Sequence, residues 1–244
     1  MSSISESHAN KDLEGRDLVL SVHGVSRSYS APAGNLLVLD AVDLEVPRGT
    51  ILAILGVSGV GKSTLLNILG TLDRPDRGTV AIRGERVEHL SESALAAVRA
   101  KRLGFVFQFH HLLPEFTAEE NVMMPLLIAG VEPGVARARA REALESVGLP
   151  ARWSHLPSQL SGGEAQRVAV ARALAPEPDL VLADEPSGDL DPVSAEALHD
   201  LLVRLARERQ RTFVIATHDE RLARRADRTV KLVDGRLSPW NSEV

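Results

Sequence analysis

Three short stretches of this chain hold side chains suited to phosphate chemistry. The first, Gly56-Val57-Ser58-Gly59-Val60-Gly61-Lys62-Ser63, follows the pattern G-x-x-x-x-G-K-[ST]. Its glycines let backbone N–H groups turn inward around phosphate oxygens, and a helix starting at its end adds free donors and a favourable dipole. Lys62 would bring its charge to the β- and γ-phosphates of a nucleotide, and Ser63 would offer a hydroxyl to Mg2+. The second, LVLADEP, runs four apolar residues into Asp184 and Glu185. Acids at the C-terminal end of a buried strand stand where open α/β sheets bind ligands. Asp184 would hold Mg2+ through water, and Glu185 would polarise an attacking water. Alone, the two would read as solvated acids; beside the first stretch they read as a working pair. The third is Leu160-Ser161-Gly162-Gly163-Glu164. Ser161 and Glu164 form a capping box ahead of AQRVAVARALA, which could be all the stretch does. Two glycines in a first helical turn are poor helix formers, however, and they make sense where N–H groups must approach a phosphate closely.

These residues need elements to position them. TILAIL before the first stretch, DLVLAD around the second and TFVIAT further on are short continuous apolar runs, the mark of strands buried on both faces. TLLNILG has helical spacing ended by Gly70, and Ser194–Arg209 reads as a helix between the last two runs. Strands alternating with helices imply a parallel sheet. LVLSVHGV, NLLVLDAV and DLEV are β-rich, broken at Pro32, Gly34 and Pro47-Arg48-Gly49, and TVAIRGERV returns to strand. Ser91 to about Ala175 is mostly helical, and VKLVDGRL reads as a hairpin about Asp234-Gly235.

The bulk numbers exclude several classes. A chain of 244 residues can bury a substantial core. Its net charge of −5 argues against a protein that coats nucleic acid. The absence of cysteine excludes disulfides and Cys-based metal or redox sites. No apolar run approaches the roughly 20 residues of a membrane helix, so no direct membrane insertion is expected. The polar stretch 1–16 has no apolar segment of a secretory signal and reads as a disordered tail.

Taken together, the motifs resemble those of the nucleotide-binding subunits of ABC transporters, over about Leu18 to Leu237 and in that family's order. They are the P-loop 56–63, a Q-loop glutamine Gln108, the signature 160–164, the Walker B run 180–185, the D-loop Gly188-Asp189-Leu190-Asp191 and a switch histidine, His218. The resemblance implies an α/β P-loop NTPase fold: a RecA-like parallel-sheet core, an N-terminal antiparallel β subdomain, and an α-helical subdomain at about 109–176 inserted in an ATPase domain of 17–244. It implies ATP hydrolysis with Mg2+. Nucleotide contacts are expected at Tyr29 (stacked on adenine), Gly56, Ser58, Gly59, Gly61, Lys62, Ser63 and Thr64, with Mg2+ held by Ser63, Asp184 and Gln108. Two ATP molecules would lie between two subunits arranged head to tail, so that Ser161, Gly162 and Gly163 of one reach the γ-phosphate held by the other. Glu185 would be the general base, His218 would contact the γ-phosphate, and Gln108 would touch Mg2+ or the attacking water. Position 165, where relatives often carry Arg or Gln, is Ala165, which puts a side-chain contact near the dimer seam in doubt.

One stretch narrows the resemblance. Four of the five phenylalanines, Phe105, Phe107, Phe109 and Phe116, crowd around Gln108 and His110-His111. LGFVFQF reads as a strand, Leu113-Pro114 ends it, and Thr117 with Glu120 caps a helix from about Ala118. Phe105 and Phe107 are expected in the core. Residues His110 to Phe116 are expected to dock a short helix of integral membrane subunits. A metal site at the two histidines is the weakest reading, because adjacent residues in extended chain point apart. The run QFHHLLPEFTAEENVMMPLLIAG resembles that of ATPases driving lipoprotein release from the bacterial inner membrane, which implies a peripheral position on its cytoplasmic face. Exporters of macrolides or peptides and the cell-division system are alternatives within the family. A soluble ABC ATPase acting on nucleic acid is the alternative from another class.

Overall fold

The strand that precedes the phosphate loop lies near the middle of a six-stranded sheet. In the computed structural model, which describes residues 17–31 and 34–240, β3 (Ile51–Leu55) is buried along its whole length. It pairs in parallel with β8 (Phe213–Thr217) on one side and β9 (Arg228–Val233) on the other. With β6 (Leu103–Val106), β7 (Leu180–Asp184) and β10 (Arg236–Pro239), the order is β10-β9-β3-β8-β7-β6. Only β10 runs antiparallel, turning back from β9 at Asp234-Gly235 as expected. A second, antiparallel sheet has the order β2-β1-β4-β5, from β1 (Leu18–Ala31), β2 (Gly34–Pro47), β4 (Arg77–Ile82) and β5 (Glu85–Arg86). TVAIRGERV is thus two strands folded about Arg83-Gly84, both in the left-handed region. The expected tail 1–16 and the break at Pro32 lie outside the described residues.

Two apolar cores cover the faces of the parallel sheet. On one side, Leu65, Leu66, Ile68 and Leu69 of α1 (Lys62–Leu69) pack with Leu52, Ile54, Leu182 and Val214 and with the antiparallel sheet. On the other, Ile51, Val181, Phe213 and Ile215 join helices α3 (Ala118–Ile128), α4 (Pro133–Ser146), α5 (Gly162–Leu174) and α6 (Pro192–Arg209). The remaining helices are α2 (Glu92–Arg102) and the short α7 (Glu220–Ala223). The chain leaves the sheet after β6 and returns in β7, its direct neighbour, with Leu103 opposite Leu180. Helices α3 to α5 therefore form one excursion from a single sheet edge. Among the described residues, no helix is long and apolar enough to cross a membrane.

The excursion starts differently from its sequence reading. β6 stops at Val106 rather than running to Phe109. An edge strand can be no longer than its partner's ladder, and β7 ends at Asp184 because Glu185 turns away with φ 46°. Phe107 is consequently 37 % exposed and not a core residue, while Phe105 packs against the core as expected. Leu112, expected on the docking surface, is buried in the helical core instead. Thr117 and Glu120 form the expected capping box, with Thr117 N–H donating to Glu120 Oε2 at 2.8 Å and Glu120 N–H to Thr117 Oγ1 at 3.3 Å.

Between β6 and α3 the backbone has no ladder, so side chains must satisfy it. Buried Asn121 accepts from Leu113 N–H at 2.7 Å and donates to the carbonyls of Leu113, Phe116 and Thr117 at 3.1, 2.9 and 3.0 Å. Replacing Asn121 by Ala strands these groups and should destabilise the protein by about 2–3 kcal/mol. Urea denaturation followed by circular dichroism measures this. A loss below about 0.5 kcal/mol would mean that water replaces the amide without cost.

Candidate nucleotide site

Parallel register brings the C-terminal ends of β3, β7 and β8 to one edge. Leu55 stands opposite Thr217, and Asp184 opposite Ala216. The loops after these strands carry Gly56–Ser63, Glu185–Asp191 and His218. Gly61 ends the first loop with φ 109°, and a Cβ there would stand 2.8 Å from Val38 Cγ1, so the turn into α1 needs glycine for both conformation and space.

Lys62 is buried (6 % exposed) at the start of α1. Its Nζ donates to the carbonyls of Gly56 at 2.7 Å and Val57 at 3.1 Å, and pairs with Glu185 Oε1 at 3.1 Å. Glu185 has left-handed backbone, unusual for a side chain of its size, and its N–H is held by the Ala216 carbonyl at 2.9 Å. Its other oxygen, Oε2, accepts from His218 N–H at 3.2 Å and lies 2.8 Å from His218 Nδ1. One carboxylate thus links the three loops. His218 is well exposed, and with Glu185, Ser187, Gly188 and Asp219 it borders a cavity of about 180 Å3.

Asp184 lies beside this cluster and is more buried than an ordinary carboxylate. Burial raises its pKa, the neighbouring Glu185 adds to the rise, and the Ser63 hydroxyl and Lys62 oppose it. Asp184 Oδ1 is buried with no hydrogen-bond partner. An orphaned carboxylate oxygen next to a serine hydroxyl is a donor set that suits a hard divalent cation such as Mg2+.

The other expected site residues fall into two groups. Gln108 follows β6, and its side chain packs against the D-loop, where a Cβ on Gly188 would stand 3.3 Å from it. Tyr29 is partly exposed; its hydroxyl donates to Asp73 Oδ2 at 2.8 Å, and the Arg27 guanidinium covers one ring face at 4.8 Å from the centroid. The signature residues stand apart. Ser161 and Gly162 are exposed at the N-terminus of α5, where Gly162 is nearest Leu190. No hydrogen bond joins them to Lys62, Glu185 or His218 among the described residues. Gly163 is buried, and a Cβ there would stand 3.0 Å from Ser194, so packing asks for glycine. Glu164 completes the capping box, accepting from Ser161 N–H at 2.9 Å; Arg152 and that N–H hold its carboxyl at a pKa of about 2. Ala165 is buried in the helical core and offers no reach to a seam.

His199, which no motif singles out, is completely buried. Its Nε2 lies 2.9 Å from Ser187 Oγ, supporting the loop that follows Glu185, and burial lowers its pKa. The available signal was its place on the apolar stripe of α6 with Ala195, Leu198 and Leu202. The histidine pair at 110–111 has backbone roles: His110 Nδ1 accepts from Leu112 N–H at 3.1 Å. Among the described residues, no group of three or more His, Asp or Glu side chains converges on a metal-sized space.

Comparison with known proteins gives the family. The family description "ABC transporter" matches residues 39–188. Over 219 residues the chain is 54 % identical to the lipoprotein-releasing system ATP-binding protein LolD of Geobacter metallireducens, covering 90 % of this chain and 97 % of that one. The LolD of Bacteroides thetaiotaomicron is also 54 % identical, with 90 % and 99 % covered. Among solved structures, the dimeric ABC transporter cassette MJ0796 superposes with a TM-score of 0.81 at 39 % identity, covering 90 % of this chain and 96 % of that chain. So does the same cassette as a dimer in a post-hydrolysis state bound to ADP and Pi.

Asp184 gives a prediction with a definite sign. A carboxylate whose folded pKa is raised destabilises the fold once the pH exceeds its unfolded pKa of about 3.9, and the cost is complete above the folded value. Asp184→Asn removes that cost, so the nucleotide-free variant should melt higher than the parent at pH 7, with the difference shrinking toward pH 4. The same variant should lose the extra stabilisation that Mg2+ adds to ATP, and at least about 100-fold in hydrolysis rate. Thermal melts with ATP alone and with ATP plus Mg2+ measure both; a lower melting point for the nucleotide-free variant would contradict the burial argument.

Proposed function

Since the chain belongs to the ABC transporter family of ATP-hydrolysing cassettes, we propose that it powers release of lipoproteins from a bacterial inner membrane, working beneath two integral membrane partners. Identity of 54 % over 219 residues to the lipoprotein-releasing subunits supports this choice over macrolide or peptide export and cell division. The observation that carries the site is the position of Glu185, held between buried Lys62 and His218.

That position supplies a mechanism. Lys62 pairs with Glu185. ATP phosphates in Gly56–Thr64 offer Lys62 a stronger anionic partner, and exchange of partners frees the Glu185 carboxylate. Glu185 then takes a proton from water as the water oxygen bonds to the γ-phosphorus and the bond to the β-phosphate oxygen breaks, leaving ADP and inorganic phosphate. His218, hydrogen-bonded to Glu185, holds the general base and contacts the γ-phosphate. Ser63, Asp184 and Gln108 would hold Mg2+, which supplies positive charge to the phosphate oxygens when bound. The ring face of Tyr29 that Arg27 leaves open receives the adenine.

Ser161, Gly162 and Gly163 serve a second copy. No hydrogen bond joins them to the chain's own Lys62–Glu185 cluster among the described residues, and a head-to-tail homodimer brings them to the partner's γ-phosphate. The membrane subunits dock in an apolar groove of about 490 Å3 whose lining includes Phe105, Phe107, Leu113, Met124, Pro125 and Ile128. Exposed Phe107 and Leu113 support docking there, with Leu112 buried behind the surface. The protein is peripheral, held at the cytoplasmic face by those partners.

Two measurements test this reading. Glu185→Gln should bind ATP but hydrolyse it at least about 100-fold more slowly, accumulating an ATP-bound dimer seen by size analysis. A mutant that stays strictly monomeric with ATP would contradict the shared-site arrangement. A paired change, Leu113→Asp with Ile128→Asp, should abolish co-purification with integral membrane proteins while leaving ATP affinity within about 3-fold. Loss of ATP binding in that mutant, or unimpaired recovery of the membrane subunits, would sink the docking surface.

A further inference from the structure

The turn that carries Glu185 is pinned at both ends, and its second pin is a buried histidine. Glu185 adopts φ of 46°, in the left-handed region that a side chain of its size rarely enters. Such a conformation persists only where its surroundings determine it. Upstream, Glu185 N–H donates to the Ala216 carbonyl at 2.9 Å. Downstream, the backbone bonds stay within the turn: Gly188 N–H donates to the Glu185 carbonyl at 2.9 Å and Leu190 N–H to the Ser187 carbonyl at 3.2 Å. Among the described residues, a single hydrogen bond ties 186–190 to another element. It joins the buried Ser187 Oγ to His199 Nε2 on α6 at 2.9 Å.

The histidine is placed at a cost that needs a reason. It is fully buried on the apolar stripe of Ala195, Leu198 and Leu202, where a leucine would leave no polar group to satisfy. Its Nδ1 has no hydrogen-bond partner. Glu196, whose Oε2 stands 3.7 Å away, is held by Arg225 through its other oxygen. Burial lowers the pKa of the ring and so favours its uncharged form; Asp219 and Asp200 oppose that shift, and Arg221 adds to it. What the ring gains is reach. Leu198, Leu201 and Leu202 fix α6 in the helical core, so a bond from His199 ties Ser187 to a rigid body.

We propose that His199 is a positioning residue for hydrolysis: through Ser187 it holds the turn after β7 in the left-handed form that aims the Glu185 carboxylate, and without that bond the turn relaxes and the carboxylate leaves its place between Lys62 and His218. This role rests on the assignment of Glu185 above as general base. The phosphate loop is built by β3 and α1 and makes no hydrogen bond with His199 or Ser187 among the described residues. ATP binding therefore proceeds without the Ser187–His199 bond, while proton abstraction depends on it.

Steady-state hydrolysis of ATP with Mg2+ by the full chain tests this. Ser187→Ala, which removes one oxygen, and His199→Leu, which continues the apolar stripe, should each lower kcat about 10-fold with KM for ATP within about 2-fold of the parent. The double variant should be no slower than either single one, because both remove the same bond. His199→Gln, whose amide can reach the same hydroxyl, should recover kcat to within about 3-fold of the parent. Single variants that hydrolyse within about 2-fold of the parent rate, or a double variant slowed by the product of the two single losses, would overturn the positioning role. Losses in which KM and melting temperature move together with kcat, and which glutamine does not rescue, would make the pair merely structural and also overturn it. Glu185→Gln in the same assay separates the two readings. If that variant keeps the parent rate, the general-base assignment falls, and the positioning role with it.

Discussion

The parallel ladder of β3, β8 and β7 is the constraint on which the site depends. All five residues of β3 and of β8 are buried, so neither strand has a solvent face onto which it could slip. With Leu55 opposite Thr217 and Ala216 opposite Asp184, three strands finish at one level. Their loops must then emerge side by side, and residues far apart in sequence meet without any loop reaching for another. The Lys62–Glu185–His218 chain of contacts follows from register. The hydrogen bond from Glu185 N–H to the Ala216 carbonyl is the last rung of the ladder, and the left-handed turn immediately beyond it aims the carboxylate at Lys62.

Charge balance holds this arrangement together. Lys62 is nearly out of contact with solvent, and a buried ammonium without an anion is costly. Glu185 supplies the anion and two carbonyls complete the donor set. The pocket is therefore neutral at Lys62 but over-supplied with acid one residue away, where Asp184 holds an oxygen that nothing satisfies. A site built this way favours a ligand that brings negative charge to the lysine together with positive charge to the aspartate, which describes a nucleotide phosphate accompanied by a divalent cation.

Much of this was legible in the sequence, and the misses share a cause. The buried strands announced themselves as continuous apolar runs, and both capping boxes stood at their expected residues. The phosphate loop and the two acids carried their own spacing. What could not be read was anything decided by a distant partner. Leu103 to Phe109 looks like a strand throughout, but where it ends is set by the turn at Glu185 in another strand, which left Phe107 facing a groove rather than the core. Leu112 and Leu113 are neighbours of one type, and only the packing of α3 and α5 decides which is buried. The contacts of Tyr29 with Asp73 and Arg27 likewise join residues that nothing in the sequence pairs. His199 sits on an apolar stripe but owes its role to Ser187, twelve positions earlier.

The same dependence on distant partners gives the Gln108 loop its character. A segment joining a sheet edge to a helical layer could have been held by ladder hydrogen bonds, which form and break cooperatively with the sheet. Here the groups that hold it are side chains: Gln166 and Arg172 from α5 and Asn121 from α3. Each bond belongs to a helix and not to the sheet, so the loop is attached more firmly to the helical layer than to β6. A disturbance at Gln108 is thereby transmitted toward the helices as well as to the loop after β7, against which its side chain packs. The exposed rings of Phe107 and Phe109 lie on the outer side of that attachment, with His111 edge-on to both. A partner bound there would press on the loop and the helical layer together, since the bonds leave them few ways to move independently.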